Sequence, residues 1–121
     1  MRRVIIESPY AGDVDEHMRY LQRCIRDCLA RGESPYASHQ MLTQALDDAT
    51  PEERKAGIEA GFAWRSEADA TVVYTDYGIS AGMAEGVRHA EATIGRSIVL
   101  YGTKEHAIEY RMIGRNEEPS R

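Results

Sequence analysis

The chain has 121 residues, of which 42% are hydrophobic and 29% charged, and a formal net charge of −5. These values are typical of one globular domain and argue against a disordered, fibrous or coiled-coil protein. The basic residues are scattered along an acidic chain, which argues against duplex nucleic acid as a partner. The apolar runs are far shorter than the roughly 18 residues that cross a bilayer, so we expect a cytoplasmic protein without membrane contact. A single domain is predicted over residues 1–115, followed by a frayed tail at residues 116–121.

Strands alternate with helices in the first half of the chain. Arg3–Glu7 is a β-branched, apolar run that turn-forming residues end, which predicts a buried strand. Asp13 is a candidate cap for a helix that runs to about Ala30. A second, short strand is predicted at Tyr36–His39, and a helix near Gln40–Asp48.

The alternation continues in the second half. Pro51–Ser66 is predicted as a long helix, because proline suits the first helical position and acidic residues follow it. Ala68–Asp76 contains the clearest strand, a continuous apolar run of the kind found in parallel sheets covered on both faces. Met83–Ile94 is predicted as a helix and Gly95–Tyr101 as another strand.

After residue 102 the pattern leaves three alternatives open: a short helix near His106, an edge strand near Arg111, or both. The overall alternation predicts an α/β fold. The expected architecture is a three-layer, Rossmann-like open sheet, mostly parallel, with about four to five strands.

Cys24 and Cys28 lie four residues apart on the apolar face of the first helix, which favours thiols buried in the core. The four histidines form no pair with ligand spacing, so a zinc site is not predicted. We expect no metal and no cofactor. Trp64 is also predicted to lie in the core.

Ligands of open parallel sheets bind outside the carboxyl ends of the strands, near the point where strand order reverses. This rule selects the loops that follow the first three strands. The segment Asp76–Met83 brings two glycines and a serine to a helix start, where free N–H groups and the helix dipole favour a phosphate or a ribose hydroxyl. The equally open alternative is that Ser80 simply caps the helix. The candidate ligand-binding residues are Ser8, Tyr10, Ala11, Gly12, Asp13, His39, Asp76, Gly78, Ser80, Ala81, Gly82 and Met83.

Four of these side chains have a functional and a structural interpretation. Tyr10 is placed to contact a sugar or a base, or merely belongs to a turn with Asp13 as the cap. Asp13 has the same opportunity or caps the helix, and Asp76 accepts from ribose hydroxyls or forms an Asx turn. His39 is a general base near neutral pH or a hydrogen-bonded wall residue.

Four segments taken together resemble the nucleoside 2-deoxyribosyltransferase superfamily, which includes deoxynucleoside-monophosphate glycosidases and small uncharacterised phage and bacterial proteins. They are Ile5–Asp13, Ala63–Asp69, Thr71–Tyr74 and Ser80–Met83, the last followed by Ala90. The resemblance covers about residues 3–101 and implies a Rossmann-like homo-oligomer that cleaves the N-glycosidic bond of a deoxynucleoside or its monophosphate. It also implies a glutamate nucleophile and an aspartate that helps the leaving base.

Both implied carboxylates are replaced by glycine. The nucleophile's position matches Gly86, and the aspartate's position matches Gly61. Glu85 is adjacent to the first position, but one residue turns about 100° around a helix. The sequence therefore predicts a protein that binds a nucleoside- or nucleotide-type ligand, with ribose and phosphate groups, and lacks the usual nucleophile.

Two alternatives remain open. One is an active N-glycosidase or deoxyribosyltransferase, in which Glu85, or Asp76 or Asp13 instead, supplies the carboxylate and Tyr10 orients the sugar. The other is a subunit with a vestigial cleft that acts by protein contact.

Overall fold

The computed structural model describes residues 1–37, 50–101 and 106–115. Strands and helices alternate along almost the whole of this part of the chain. In chain order the elements are β1 (Arg2–Glu7), α1 (Val14–Ala30), β2 (Glu33–Tyr36), α2 (Pro51–Arg65), β3 (Ala70–Tyr74), α3 (Ala81–Tyr101) and β4 (Ala107–Arg111).

The described strands form one parallel sheet in the order β2-β1-β3-β4. Val4 of β1 lies beside Ala70 of β3, which lies beside Ala107 of β4. The chain leaves β1 toward β2 on one side and later adds β3 on the other side. Strand order therefore reverses between β1 and β3, and the predicted open, Rossmann-like α/β sheet is confirmed.

Alternating residues of the central strands face different helices. On one face, Val4, Ile6, Val72 and Tyr74 pack with α1 in the main hydrophobic core. The core residues that α1 contributes are Tyr20, Leu21, Cys24 and Cys28. Both cysteines are free and buried, which confirms the prediction of core thiols.

The opposite face of the sheet carries polar groups among its buried residues. Glu7 of β1 and Thr71 of β3 both bond to Arg65 at the end of α2, and the Glu7 carboxyl group lies against Gly86 of α3. Helices α2 and α3 therefore cover this face while α1 covers the other. The predicted three layers are confirmed.

Local sequence signals set the ends of α1. The Asp13 side chain accepts a hydrogen bond from the N–H of Glu16, and two acidic residues lie in the first turn. Gly32 follows the helix with φ of +79°, in the left-handed region that glycine adopts without strain. The predicted cap and stop of this helix are confirmed.

Two strand predictions differ from the structure. β2 lies at Glu33–Tyr36, three residues earlier than predicted, and residues 38–49 lie outside the described part. The predicted strand at Gly95–Tyr101 is wrong, because α3 continues through Tyr101. A short apolar run does not distinguish a strand from a buried helical segment. The predicted edge strand near Arg111 is confirmed as β4. The predicted helix near residues 40–48 and the tail at residues 116–121 fall outside the described residues.

Candidate functional site

The loops after β1 and β3 lie side by side at the carboxyl edge of the sheet, because these two strands are parallel neighbours. Ser8 follows β1 directly, and only 5% of its surface is exposed. Its Oγ has no hydrogen-bond partner among the described residues. A buried polar group without a partner costs about 1–3 kcal/mol. Ser8 is therefore a strong candidate for hydrogen bonding to a ligand.

Two glycines shape these loops. Gly12 has φ of +93° and Gly78 has φ of +83°, both in the left-handed region. Ala11, Gly12 and Asp13 are exposed, and a Cβ atom added at Gly78 would meet nothing within 4 Å. The predicted site thus has open backbone on both sides, in conformations that other residues rarely adopt.

The start of α3 combines a cap with open backbone. Ser80 Oγ accepts a hydrogen bond from the N–H of Met83 at 3.2 Å, so Ser80 caps the helix. Met83 itself is buried and faces the core. Ala81 and Gly82 are exposed, and their N–H groups belong to the first turn, which has no intrahelical acceptors. Capping therefore leaves N–H groups at this helix start that suit an anion.

Asp76 has a structural role at this edge. Its carboxylate accepts from the Tyr20 hydroxyl at 2.6 Å and from the N–H groups of Ile113 and Gly114 at 2.9 and 2.6 Å. Burial raises its pKa, but these hydrogen bonds outweigh burial and hold the pKa below its usual range. Asp76 therefore ties the segment after β4 to the end of β3.

Contacts of Tyr77 and Tyr10 join the two loops to the first half of α1. The Tyr77 hydroxyl donates to Glu16 at 2.5 Å, and its ring packs edge-on against Tyr20. His17 Nδ1 lies 3.2 Å from the carbonyl oxygen of Tyr10, so this nitrogen donates the hydrogen bond. These contacts position Tyr10 beside the start of α1.

Glu85, the carboxylate candidate on α3, already has a partner on the surface. Glu85 is exposed on α3 and forms an ion pair with Arg54 at 2.7 Å. Gly86, the next residue, faces the end of β1 instead. His39 lies outside the described residues.

A second polar cluster lies under α2 and α3, and sequence reasoning missed it. We call it the Glu7 cluster; its members are Glu7, Arg65, Thr71, His89 and His106. Arg65 donates from Nη2 to Glu7 Oε2 at 2.5 Å, from Nη1 to Thr71 Oγ1 at 2.7 Å and from Nε to His89 Nδ1 at 2.8 Å. Because arginine only donates, His89 Nδ1 is unprotonated in this arrangement.

The same reasoning assigns the protons at His106. Its Nδ1 lies 3.1 Å from the carbonyl oxygen of Ala68, so Nδ1 carries the proton. In the neutral ring, Nε2 then accepts from Thr71 Oγ1 at 2.8 Å, while the Thr71 oxygen accepts from Arg65. The cluster is a continuous hydrogen-bonded chain from His106 to Glu7.

The glycines at the two replaced positions make room for this cluster. A Cβ atom at Gly86 would lie within 2.2 Å of the Glu7 carboxyl carbon, and one at Gly61 would lie 3.3 Å from His89 Cε1. The Glu7 carboxyl group thus occupies the space of a side chain at position 86. Burial raises the pKa of the Glu7 carboxyl, and the charge of Arg65 offsets only part of this shift.

A matching ion pair lies on the opposite face of the sheet, under α1. Arg111 donates from Nη1 to Glu33 Oε1 at 2.8 Å and from Nη2 to Glu33 Oε2 at 2.7 Å. It also donates to the Tyr74 hydroxyl and to Glu109. Hydrogen bonds from Arg111 lower the pKa of Glu33 despite its burial. Both oxygens of this carboxylate are bound by protein.

An apolar cavity of about 230 Å³ lies elsewhere, beside β2 and the end of α2. Tyr36 and Trp64 stack at its wall with ring centroids 5.1 Å apart. Trp64 is 53% exposed, so its predicted place in the core is wrong.

Within residues 1–37, 50–101 and 106–115, no group of three or more acidic, histidine or cysteine side chains has the arrangement to hold a metal ion. No helix of this described part is long and apolar enough to cross a membrane.

The sequence profile of the family described as "Domain of unknown function (DUF7768)" matches residues 2–98. The chain belongs to this family. The match includes the Ser8–Asp13 loop, the start of α3, Gly61 and Gly86, so the candidate site lies within the DUF7768 domain. No curated protein matches the chain.

Proposed function

We propose that this DUF7768 domain binds a small nucleoside- or nucleotide-type ligand at the carboxyl edge of its sheet, between the loop after β1 and the start of α3. The Ser8 hydroxyl, which is buried and has no partner among the described residues, carries the proposal. A protein seldom buries such a group unless something else binds it. A ribose or phosphate oxygen is a suitable partner.

The surroundings of Ser8 support the same ligand class. The exposed first turn of α3, at Ala81 and Gly82, offers N–H groups and the positive end of the helix dipole to a phosphate. The left-handed backbone at Gly12 and Gly78 allows close approach from both loops. Strand order reverses between β1 and β3, which is where ligands of open α/β sheets bind.

Binding without turnover is the form of this function that we favour. Gly86 supplies no carboxylate from α3, and Glu85 pairs with Arg54 on the surface. Asp76 is engaged by Tyr20 and the backbone after β4, and Asp13 caps α1.

A thermal-shift screen tests the proposal. The probes are deoxynucleosides, ribo- and deoxynucleoside monophosphates, ADP-ribose and cyclic nucleotides, with chromatography of the same wells to detect free base. We expect at least one nucleotide to raise the Tm without release of base. Release of base at an enzymatic rate would favour the N-glycosidase alternative, and no shift with any probe would contradict ligand binding.

Two serine-to-alanine variants test whether binding depends on the Ser8 hydroxyl. Ser8→Ala should weaken binding by about 10-fold, the value of one hydrogen bond, yet leave the unliganded Tm unchanged or higher because it removes a buried hydroxyl without a partner. Ser66→Ala is the control, since Ser66 Oγ already donates to the Ala63 carbonyl oxygen at the far end of α2. It should leave the affinity unchanged.

A further inference from the structure

The Glu7 carboxylate lies close to the proposed ligand site. Glu7 is the last residue of β1, and its carboxyl group contacts the backbone of α3 at Gly86. Gly86 follows Gly82 by four residues, so the helical rise places the two about 6 Å apart along the axis. A ligand whose phosphate binds at the α3 N-terminus therefore has Glu7 within reach of its next chemical group.

Arg65 holds this carboxylate by one oxygen. Arg65 Nη2 donates to Oε2, and Thr71 and His89 fix the guanidinium in turn. Across residues 1–37, 50–101 and 106–115, no hydrogen bond to Glu7 Oε1 is found. This oxygen keeps its acceptor capacity for a hydroxyl donor.

Glu33 shows what a carboxylate with a purely structural role looks like in the same molecule. Glu7 and Glu33 are 7% and 5% exposed, and each pairs with a buried arginine. Arg111, however, binds both oxygens of Glu33. The pKa values move in opposite directions: burial raises that of Glu7, and Arg111 lowers that of Glu33. Glu7 is thus less fully bound by protein than its counterpart.

We infer that Glu7 accepts a hydrogen bond from a sugar hydroxyl of the bound ligand and that Arg65 positions its carboxylate for this contact. The inference rests on the proposed function and narrows the ligand to a nucleoside monophosphate with a free 2′ or 3′ hydroxyl. The phosphate lies at the start of α3 and the sugar lies toward Gly86. Gly86 is then a specificity residue, because its missing side chain admits the carboxylate.

A binding cycle tests this contact. The probes are the four ribonucleoside 5′-monophosphates and their 2′,3′-dideoxy counterparts, titrated calorimetrically into the wild-type protein and Glu7→Gln. Removal of the hydroxyls should weaken wild-type binding by about 10- to 100-fold, as expected for a hydrogen bond to a charged acceptor. In Glu7→Gln the same removal should change binding by less than about threefold.

Glu33→Gln is the matched control, since it alters a buried Arg–Glu pair on the opposite face. It should keep the wild-type ratio between the two probe series, although it lowers the Tm. Gly86→Ala provides a second variant in case Glu7→Gln does not fold. It keeps every ionisable group but displaces the carboxylate, so it should lose the hydroxyl preference as well.

The outcomes separate the inference from the proposed function. An unchanged hydroxyl preference in folded Glu7→Gln, or in Gly86→Ala where only that variant folds, overturns the inference and leaves nucleotide binding intact. Failure of the wild-type protein to bind any of these nucleoside monophosphates overturns the inference, and failure with every probe of the thermal-shift screen overturns the proposed function as well.

Discussion

Each face of the sheet carries a buried arginine–glutamate ion pair, but the two pairs differ in how many carboxylate oxygens the arginine binds. Under α1, Arg111 binds both oxygens of Glu33, and Tyr74 and Glu109 bind Arg111 as well. Under α2 and α3, Arg65 contacts one oxygen of Glu7 and divides its other donors between Thr71 and His89. A fully paired carboxylate stabilises the fold, whereas a partly paired one at the edge of a ligand site has capacity left for function.

The largest expected loss of stability follows a substitution in the ion pair on the α1 face of the sheet. Arg111→Met leaves the buried Glu33 carboxylate without its bidentate partner, and we expect the free energy of unfolding to fall by about 3–5 kcal/mol. Urea unfolding at pH 7 measures this change in the free energy of unfolding. The same substitution at exposed Arg19 is the control and should have little effect. Equal losses in the two variants would show that the buried pair contributes nothing beyond a surface pair.

The next largest loss of stability is expected where the Glu7 carboxyl group packs against Gly86. Gly86→Ala forces the Glu7 carboxyl group away from α3, and we expect it to cost about 1–3 kcal/mol, as overpacked substitutions do. Gly82→Ala is the control, because a Cβ atom there meets nothing within 4 Å and alanine favours a helix. Urea unfolding of both variants measures the difference. A Gly86→Ala protein as stable as Gly82→Ala would contradict the close contact with Glu7.

The fold was largely predictable because its signals are local. The apolar runs of β1 and β3, the Asp13 cap and the proline at the start of α2 each act within a few residues. The end of α3 was missed because a short apolar run fits a strand as well as a helix.

The candidate site was predictable only in part. The carboxyl-edge rule selected Ser8 and the start of α3, but it could not show that Ser8 is buried without a partner among the described residues. The Glu7–Arg65 pair joins residues 58 positions apart, and no local pattern encodes such a contact. The available signal was a charged residue directly after the apolar run Val4–Ile6.

The two carboxylates should also respond to pH with opposite sign. The folded-state pKa of Glu7 lies above its usual 4.5, so the wild-type protein loses stability relative to Glu7→Gln as the pH rises from 4.5 through that folded-state value. The folded-state pKa of Glu33 lies below 4.5, so the wild-type protein loses stability relative to Glu33→Gln as the pH falls below 4.5.

Urea unfolding between pH 3 and pH 8 measures both differences, and each limiting slope is about 1.4 kcal/mol per pH unit. Slopes of the same sign for Glu7 and Glu33 would contradict the contrast between the two faces.

The smallest expected change in stability follows removal of the exposed ion pair between Glu85 and Arg54. Glu85→Gln removes the charge that pairs with Arg54, and both side chains are about half exposed. We expect the free energy of unfolding to change by less than about 1 kcal/mol, because solvent screens such pairs. Thermal unfolding at low and high salt measures the change. A loss as large as that of Arg111→Met would show that the surface pair matters as much as the buried one.

A crystal structure of the protein with its tightest-binding nucleoside monophosphate tests the central claim most directly. We expect the phosphate at the first turn of α3, a hydrogen bond to Ser8 Oγ, and a sugar hydroxyl within hydrogen-bonding distance of Glu7. A nucleotide bound in the Tyr36–Trp64 cavity, with Ser8 and Glu7 untouched, would contradict it.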